Sequence, residues 1–572
     1  MGLPFGSRKP ILSLMTAPTV SARKPVFAPV LVVAGLLVAL AAWTVPVNLK
    51  SVSPALLREA GEDTPSLSVF GRNLVESEKI GPAALVLDAS RAVNDPGTAG
   101  LETVFKELLA QQPEMVAWGG WDPFLDPLFK LRESKGQAGS TPVLTFFLPE
   151  KARTTLRAYL ENSRSLGVMA LLRTRQINAT GRFVPVSQPG GQPLEAVILL
   201  TALLYQGEHL SPVLQREVRN FAETASSRQN LGDLEPFFLD ILSLGKRLDW
   251  AQLAELLRRT EDSKTVSEYA HLARVAPDQF PLIYVAALFS GSADRVASYL
   301  IQFGKPGLED LTLALASGQG AVNQLMLRQV PVNRTMDAGL GTASSLVMLH
   351  PKAMLGLKYL GYFLGAFLLF RGLDLWIVRP GAGGGLGLPR MKSGALAFLF
   401  AALLILVTEP FLLRAAPPSE YRERLVLPVL VITSTNPAQA ADKTIPTMDA
   451  TTLISIGFFA ALQIAMYLTC LLKIREVARS AVSPLVKLRL MENEENLFDG
   501  GLYVGIGGTA AALVLQVLGV IEPNLLAAYS SNLFGITCVA IVKIRHVRPY
   551  KRQLILDSQT VTSLQANPAG AR

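Results

Sequence analysis

The sequence predicts a mainly α-helical, polytopic membrane protein with about six membrane helices and a large all-α extracytoplasmic domain. The first observation is the composition: 50% of the 572 residues are hydrophobic, 17% are charged, and the mean hydropathy is +0.33. This balance is too apolar for a disordered chain and too poor in charge for an ordinary soluble protein. The second is that the apolar residues concentrate in charge-free stretches near the two ends of the chain. The third is that lysine and arginine flank these stretches asymmetrically.

The first membrane helix is predicted at 26–49, after a basic N-terminal segment, 1–25, that contains no acidic residue. Positive charge beside a membrane helix is typical of the cytoplasmic side. The Ala-Leu-Ala sequence at 39–41 resembles a signal-peptidase site, but the apolar run is longer than the core of a signal peptide. We therefore favour an uncleaved anchor over a cleaved signal. Both alternatives place residues 50–353 outside the cytoplasm.

The second and third membrane helices are predicted at 354–378 and 393–413, and their limits are the least defined. Their charge-free runs are shorter than the roughly 20 residues that span a bilayer. The second helix is long enough if Arg371 and Asp374 pair across one helical turn. The third is long enough if it continues past Glu409.

The remaining membrane helices are predicted at 451–472, 500–521 and 524–542, and each is long enough to cross a bilayer alone. The topology is completed by three segments: an extracytoplasmic loop at 414–450, a cytoplasmic loop at 473–499 and a basic cytoplasmic tail at 543–572. The predicted inside segments up to Arg552 carry seventeen lysines and arginines, and Arg572 is a further one, against four in the short outside loop. This bias predicts a bacterial inner-membrane protein with both termini in the cytoplasm.

The net charge of +9 follows from this topology. Residues 51–350 have a net charge of −4, so the positive charge lies in the segments around the membrane helices. A nucleic-acid-binding protein would instead be expected to have a basic folded domain. We therefore expect no nucleic-acid partner. The expected partners are the lipid bilayer and other envelope proteins, in an oligomer or a hetero-complex.

The extracytoplasmic domain is predicted to be a succession of short amphipathic helices. Apolar residues in the stretch that begins at Trp250 recur on one helical face, and Asp249 precedes it as a helix start. The other stretches lie at 236–244, 266–275, 281–289, 293–303 and 308–316. The similar sequences ALFSG at 287–291 and ALASG at 314–318 favour an α-solenoid, with an irregular helical bundle as the alternative. A proline- and glycine-rich segment at 188–193 predicts a boundary between subdomains 50–187 and 194–353.

No catalytic residue, cofactor-binding residue or metal site is predicted. The four histidines are far apart in sequence, and both cysteines, Cys470 and Cys538, fall in predicted membrane helices. The motifs of serine hydrolases, zinc proteases and P-loop nucleotide-binding proteins do not occur. An enzyme is therefore the third hypothesis. It would depend on Asp122 and Asp126 beside Trp118 and Trp121, two tryptophans that we interpret as a plug at the end of the helical core.

Polar residues inside the predicted membrane helices are the candidate functional residues, because each costs free energy there. They are Arg371, Asp374, Glu409, Gln463, Thr509, Gln516 and Asn532. The alternative role for most of them is interhelical hydrogen bonding, which contributes about 0.6 kcal/mol per bond. Glu409 is the strongest candidate. Pairs of glycines spaced by four, Gly361 with Gly365 and Gly501 with Gly505, indicate close helix packing.

The last two predicted helices carry two short motifs, VGIGGT at 504–509 and LFGITCVAI at 533–541. They resemble the last two membrane helices of the MotA/TolQ/ExbB family of proton-channel subunits, over residues 500–545. The resemblance implies that Thr509 faces an ion path.

Two functions follow from these observations. The leading hypothesis is a non-enzymatic, multi-pass inner-membrane subunit of a cell-envelope complex whose extracytoplasmic helical domain binds protein partners. The alternative is an ion-conducting or energy-transducing membrane transport subunit.

Overall fold

The computed structural model describes residues 27–129, 140–334, 341–377, 387–412, 420–421, 450–517 and 525–566. Within these ranges the chain is mainly helical and forms no strand, which confirms the prediction of a mainly α protein. Three isolated β-bridges are the only extended pairings among the described residues. The N-terminal segment 1–25 and most of the predicted loop 414–450 lie outside them.

Helix α1, Phe27–Trp43, is shorter than the predicted 26–49. It ends because Pro46 cannot continue a helix. Thr44 closes the last turn, with its amide bonded to the Leu40 carbonyl and its hydroxyl to the Ala41 carbonyl. Residues 44–53 then form a compact connection into the next helix. The bridge Val47–Val52 lies within it.

The helical domain follows this connection. Its first helices are α2 Pro54–Gly61, α3 Leu67–Glu76, α4 Ile80–Ala92, α5 Thr98–Gln111, α6 Pro113–Trp118, α7 Asp126–Phe129, α8 Leu144–Phe147, α9 Glu150–Glu161 and α10 Leu166–Arg173. The later helices are α11 Gln192–Gln206, α12 Pro212–Arg228, α13 Leu234–Gly245, α14 Trp250–Arg258, α15 Ser263–Val275, α16 Phe280–Ser290, α17 Ala293–Ser317 and α18 Gln319–Arg328.

Local sequence signals explain where several of these helices begin and end. Asp249 caps α14 in a capping box with Gln252. Gly291, at φ 67°, ends α16, because glycine adopts the left-handed conformation without steric cost. The two predicted stretches 293–303 and 308–316 form two helical segments, numbered together as α17 and separated by Gly304, whose backbone is not helical. Gly304, at φ 60°, kinks α17 between them.

Helices of the domain pack both on their neighbours in sequence, such as α3 on α4 and α16 on α17, and on their second neighbours. Helix α11 packs on α13, α13 on α15, and α15 on α17, as in a stack of helical repeats. Helix α4 covers α14 and α16, and α2 covers α17 and α18. Most of the buried apolar side chains from Val47 to Val332 belong to one continuous core. Both predicted subdomains contribute to that core.

The helices after the domain are α19 Gly341–Leu349, α20 Pro351–Ile377 and α21 Gly387–Thr408, with a 3₁₀ turn at Pro410–Leu412. Helix α20 packs along α1 on one side and against α21 on another. Among the described residues, one helix, Pro351–Trp376, is long and apolar enough to cross a membrane. Phe27–Trp43 and Ser393–Thr408 are shorter apolar helices.

The last helices are α22 Ala450–Arg479, α23 Pro484–Asn493, α24 Glu495–Phe498, α25 Gly500–Val517, α26 Leu525–Ile541 and α27 Arg548–Ala566. Helices α22, α25 and α26 pack on one another, and α23 packs on α27. A π-helical segment, Val542–Val547, joins α26 to α27. These elements share a small core around Cys470, Phe498 and Val542.

Candidate functional site

Four segments that are distant in sequence meet around Glu409. They are the connection 44–53, the first turns of α20, the end of α21, and residues 330–334 that leave the helical domain. We call this region the polar junction, and it consists of Val47, Asn48, Asn333, Lys358, Tyr359, Thr408 and Glu409. The junction lies where the helical domain meets the three helices α1, α20 and α21.

Glu409 lies at the centre of the polar junction because Pro410 follows it. A residue before proline is disfavoured in α-helical conformation, so α21 ends at Thr408 and the carboxylate turns into the protein. Glu409 is buried. Its Oε2 accepts a hydrogen bond from the Leu49 amide at 3.0 Å, and its Oε1 accepts one from the Tyr359 hydroxyl at 2.5 Å. The second length is typical of a charge-assisted bond.

Lys358 brings the opposite charge into the polar junction and is also buried. Its ammonium donates to the Val47 carbonyl at 2.7 Å and to Asn48 Oδ1 at 2.9 Å. The charge-free run of the sequence begins at Tyr359, so Lys358 is not among the predicted functional residues. The signal was present: a lysine inside the predicted helix 354–378 needs a partner to be buried.

Asn333 joins the helical domain to the polar junction. Its buried side chain donates to the Thr408 carbonyl at 3.0 Å, and its amide donates to the Val52 carbonyl at 2.8 Å. Asp310 fixes the same segment from the domain side. Asp310 Oδ2 accepts hydrogen bonds from the Val332 amide at 2.9 Å and from the Tyr299 hydroxyl at 3.0 Å. A chain of short polar contacts therefore runs from the domain core to Glu409.

Glycines allow α1 and α20 to approach closely below the polar junction. A Cβ atom on Gly365 would lie 2.8 Å from Gly35 O and Ala39 N, and one on Gly361 would lie 2.7 Å from Ala42 Cβ. The two helices are therefore so close that a larger side chain at these glycines would clash, which is typical of helix contacts formed by small residues.

Arg371 and Asp374, on the lower part of α20, do not form the predicted ion pair. Asp374 Oδ2 instead accepts a hydrogen bond from Ser393 Oγ on α21 at 2.5 Å. The prediction was wrong because it considered only partners on the same helix, whereas α21 offers a hydroxyl. This hydrogen bond joins the last turn of α20 to the first turns of α21.

The polar residues of the last helices meet at the contact of α22, α25 and α26. Gln463 Nε2 donates to Gly501 O at 3.1 Å, and its Oε1 is buried without a partner among the described residues. Asn532 Oδ1 also lacks one there. Thr509 donates to the Gly505 carbonyl of its own helix.

Helix α25 contains two more of the predicted residues, Gly505 and Gln516. A Cβ on Gly505 would lie 3.0 Å from Ser531 O, so α25 and α26 approach closely at this glycine. Gln516 lies on α25, and its side chain falls outside the described part of the structure.

Inside the helical domain, Asp122 and Asp126 are not paired for catalysis. Asp122 is buried and accepts a hydrogen bond from Trp250 Nε1 at 2.9 Å, while Asp126 is exposed. His209 Nε2 lies 2.7 Å from Asp122 Oδ2. Burial raises the pKa of Asp122, and the hydrogen bonds from His209 and Trp250 lower it; the net effect is a lowered pKa. These contacts hold Trp250, the first residue of α14, and His209 against the turn that contains Asp122.

The two tryptophans of the predicted plug differ. Trp118 is buried and stacks on Phe146, with ring centroids 3.6 Å apart, whereas Trp121 is exposed. Trp118 therefore belongs to the core. The plug interpretation holds for one of the two.

Asp249 is a buried acid of the helical domain with a raised pKa. Its buried carboxylate accepts hydrogen bonds from Ser140 Oγ at 2.6 Å and from the Gln252 amide at 2.8 Å. Burial raises the pKa of this carboxyl to about 7, although both hydrogen bonds oppose the shift. Its geometry is that of a helix cap.

No group of three histidine, cysteine or acidic side chains with metal-binding geometry occurs among the described residues. Comparison with protein-family models, with curated proteins and with solved structures finds no match for this chain. The geometry of the molecule therefore carries the functional argument.

Proposed function

We propose that the chain is a multi-pass inner-membrane subunit of a bacterial cell-envelope complex, and that its extracytoplasmic helical domain binds other envelope proteins. In this proposal α1, α20, α21, α22, α25 and α26 cross the membrane, and both termini are cytoplasmic. The observation that carries the proposal is the polar junction, which fixes a large helical domain rigidly to the helices proposed to span the bilayer.

The depth of the polar junction supports this placement. Helix α1 has 17 residues and is about 25 Å long, which is less than the roughly 30 Å of a hydrocarbon core. The connection 44–49, in which Val45, Pro46, Val47 and Leu49 are apolar, completes the crossing. Lys358 and Glu409 then lie just inside the apolar region, where burial and internal partners are required of charged groups.

The shape of the helical domain supports a binding role. Stacked helices present extended surfaces that suit protein partners. The buried acids Asp122, Asp249 and Asp310 are engaged in holding helices and the tether 330–334 in place. Their contacts are those of structural groups.

The test is purification of the tagged full-length chain after cross-linking in intact cells, followed by extraction in a mild detergent. We expect stoichiometric envelope proteins to accompany it, with cross-links that map to the helical domain. A parallel preparation of an unrelated multi-pass protein identifies non-specific material. A monodisperse monomer without stoichiometric partners would contradict the proposal.

One observation favours the alternative of an ion-conducting or energy-transducing subunit. Among the residues that the structure describes, Gln463 Oε1 and Asn532 Oδ1 have no hydrogen-bond partner at the contact of α22, α25 and α26, where a water or an ion would satisfy them. This is the region that resembles the MotA/TolQ/ExbB family. Thr509, on α25, donates to the Gly505 carbonyl, which also accepts a hydrogen bond from Ser531 Oγ of α26.

The alternative is tested by proton flux into proteoliposomes that contain the chain and its co-purified partners. Flux that is lost in Thr509→Val, Gln463→Leu and Glu409→Gln, but kept in the control Thr537→Val, would favour conduction. Thr537 is a suitable control because it is exposed and bonds only within α26. Absence of flux in every preparation would count against this function.

A further inference from the structure

The short helix α23 has an apolar face that no part of the described structure covers. Val482, just before the helix, and Leu485, Val486 and Leu490 are exposed, although most large apolar residues of a ten-residue helix are expected to be buried. Met491, on the opposite side, is fully buried in the core shared with α27. The helix is therefore attached by one face and leaves an apolar face open.

Contacts at its C-terminal end fix the level of α23 relative to the proposed membrane. Glu494, the residue after the helix, forms an ion pair of 3.1 Å with Lys473, the first residue after the predicted membrane helix 451–472. Helix α25 re-enters the membrane at Gly500, and Asp499 pairs with Lys543 at 2.6 Å beneath α26. The C-terminal end of α23 therefore lies at the cytoplasmic headgroup level.

The N-terminal end of α23 is also close to that level. Lys487 Nζ donates to the Ala478 carbonyl, in the last turn of α22, at 2.9 Å. Ala478 lies five residues beyond Lys473, which is about 8 Å along a helix. All of α23 is thus held within roughly one headgroup layer of the hydrocarbon boundary.

Most of the acids around α23 are ion-paired with lysines. Five basic residues lie between 473 and 489 with Glu476 as the one acid among them. Of the acids that follow, Glu494, Glu495 and Asp499 pair with Lys473, Lys551 and Lys543, and Glu492 is exposed. Arg489 is exposed on the same side as Leu485 and Leu490. An exposed apolar face that contains an arginine and lies at the headgroup level suits a helix in the membrane interface, and the cytoplasmic leaflet carries anionic lipids.

We infer that α23 is an interfacial helix that binds the anionic phospholipids of the cytoplasmic leaflet through Leu485, Val486, Leu490 and Arg489. The inference rests on the proposed membrane topology. It adds a lipid-binding surface that orients the cytoplasmic ends of α22, α26 and α27 against the bilayer.

The test uses the full-length chain in nanodiscs that contain phosphatidylglycerol, with a bimane label on single introduced cysteines. The positions are three exposed leucines: Leu485→Cys on α23, Leu360→Cys on α20 and Leu166→Cys on the helical domain. Both native cysteines are buried, and unsubstituted protein shows how much label they take up. Quenching by iodide reports water, and quenching by nitroxide lipids reports the bilayer.

At Leu485 we expect quenching by lipids with a shallow nitroxide, and iodide quenching at least about twofold weaker than at Leu166, because interfacial helices bury their apolar face about 5–10 Å deep. In discs of phosphatidylcholine alone, iodide access at Leu485 should increase. Iodide access equal to that of Leu166 in both lipids would overturn the inference, as would protection from iodide without lipid quenching, since a protein then covers the face. Leu360 separates the two proposals, because loss of lipid quenching there would contradict the membrane topology itself.

Discussion

At the scale of single residues, Glu409 and Lys358 show what sequence reasoning finds and misses. Glu409 was singled out because a carboxylate at the end of an apolar stretch needs an explanation. Its partners were beyond prediction, since the Leu49 amide lies 360 positions earlier in the chain. Lys358 was missed because it marked the edge of a charge-free run. Buried polar pairs depend on tertiary contacts that no local pattern encodes.

The first prediction concerns the coupling of Lys358 and Glu409. Lys358→Met should destabilise the protein by roughly 1–3 kcal/mol, because Val47 O and Asn48 Oδ1 lose their donor while Glu409 stays buried. Adding Glu409→Gln should cost less in this variant than in the wild type. Melting temperatures of the purified chain in detergent measure the cycle, with exposed Lys352→Met as control. Strict additivity would show that the two residues are independent.

The second prediction concerns pH and Asp249. Because burial raises the pKa of this carboxyl to about 7, the folded chain holds a proton that the unfolded chain, with the ordinary value of 3.8, has released. Stability should therefore fall as pH rises from about 4 to about 7 and then level off. Asp249→Asn should remove this part of the pH dependence and keep the cap.

Melting temperatures of the full-length chain in detergent, between about pH 4.5 and about pH 7.5, measure this slope. The control is Asp262→Asn, which alters an exposed cap on α15 and should leave the slope unchanged. An unchanged slope in Asp249→Asn would show that Asp249 is not the group responsible.

At the scale of helices, the sequence predicted which helices form better than it predicted where each helix begins and ends. The stretches at 236–244, 250–257 and 266–275 correspond to α13, α14 and α15 within a few residues, because each has an amphipathic period and a clear cap or glycine break. Helix α1 ended early because Pro46 interrupts an apolar run that hydropathy alone extends to residue 49. Composition predicts that a segment crosses the membrane, whereas local geometry decides where its helix stops.

The third prediction concerns glycines at helix contacts. Gly365→Ala should destabilise the protein by about 1–3 kcal/mol, because the new methyl group meets the backbone of α1. Gly356→Ala, on the same helix with open space around it, should be neutral or slightly stabilising. Gly505→Ala and Gly507→Ala form the matching pair on α25. Thermal unfolding compares each pair, and equal effects within a pair would refute the proposed close contacts.

At the scale of the whole molecule, the sequence predicted a helical domain followed by apolar helices, and the structure adds how they are joined. One core runs through the domain from Val47 to Val332, and its exit segment is bonded to Thr408 beside Glu409. Neither the extent of this core nor the position of the junction follows from periodicity, because both depend on pairings between distant segments. The proposed role as an anchored binding platform depends on this rigid connection.

The most direct test of that platform is the side of the membrane on which the helical domain lies. Leu166→Cys and Gln553→Cys are exposed positions on the helical domain and on α27. In intact spheroplasts, a membrane-impermeant maleimide should label Leu166→Cys at once and Gln553→Cys only after permeabilisation. Labelling of both positions before permeabilisation, or of Gln553→Cys alone, would contradict a topology with an extracytoplasmic helical domain and a cytoplasmic C-terminus.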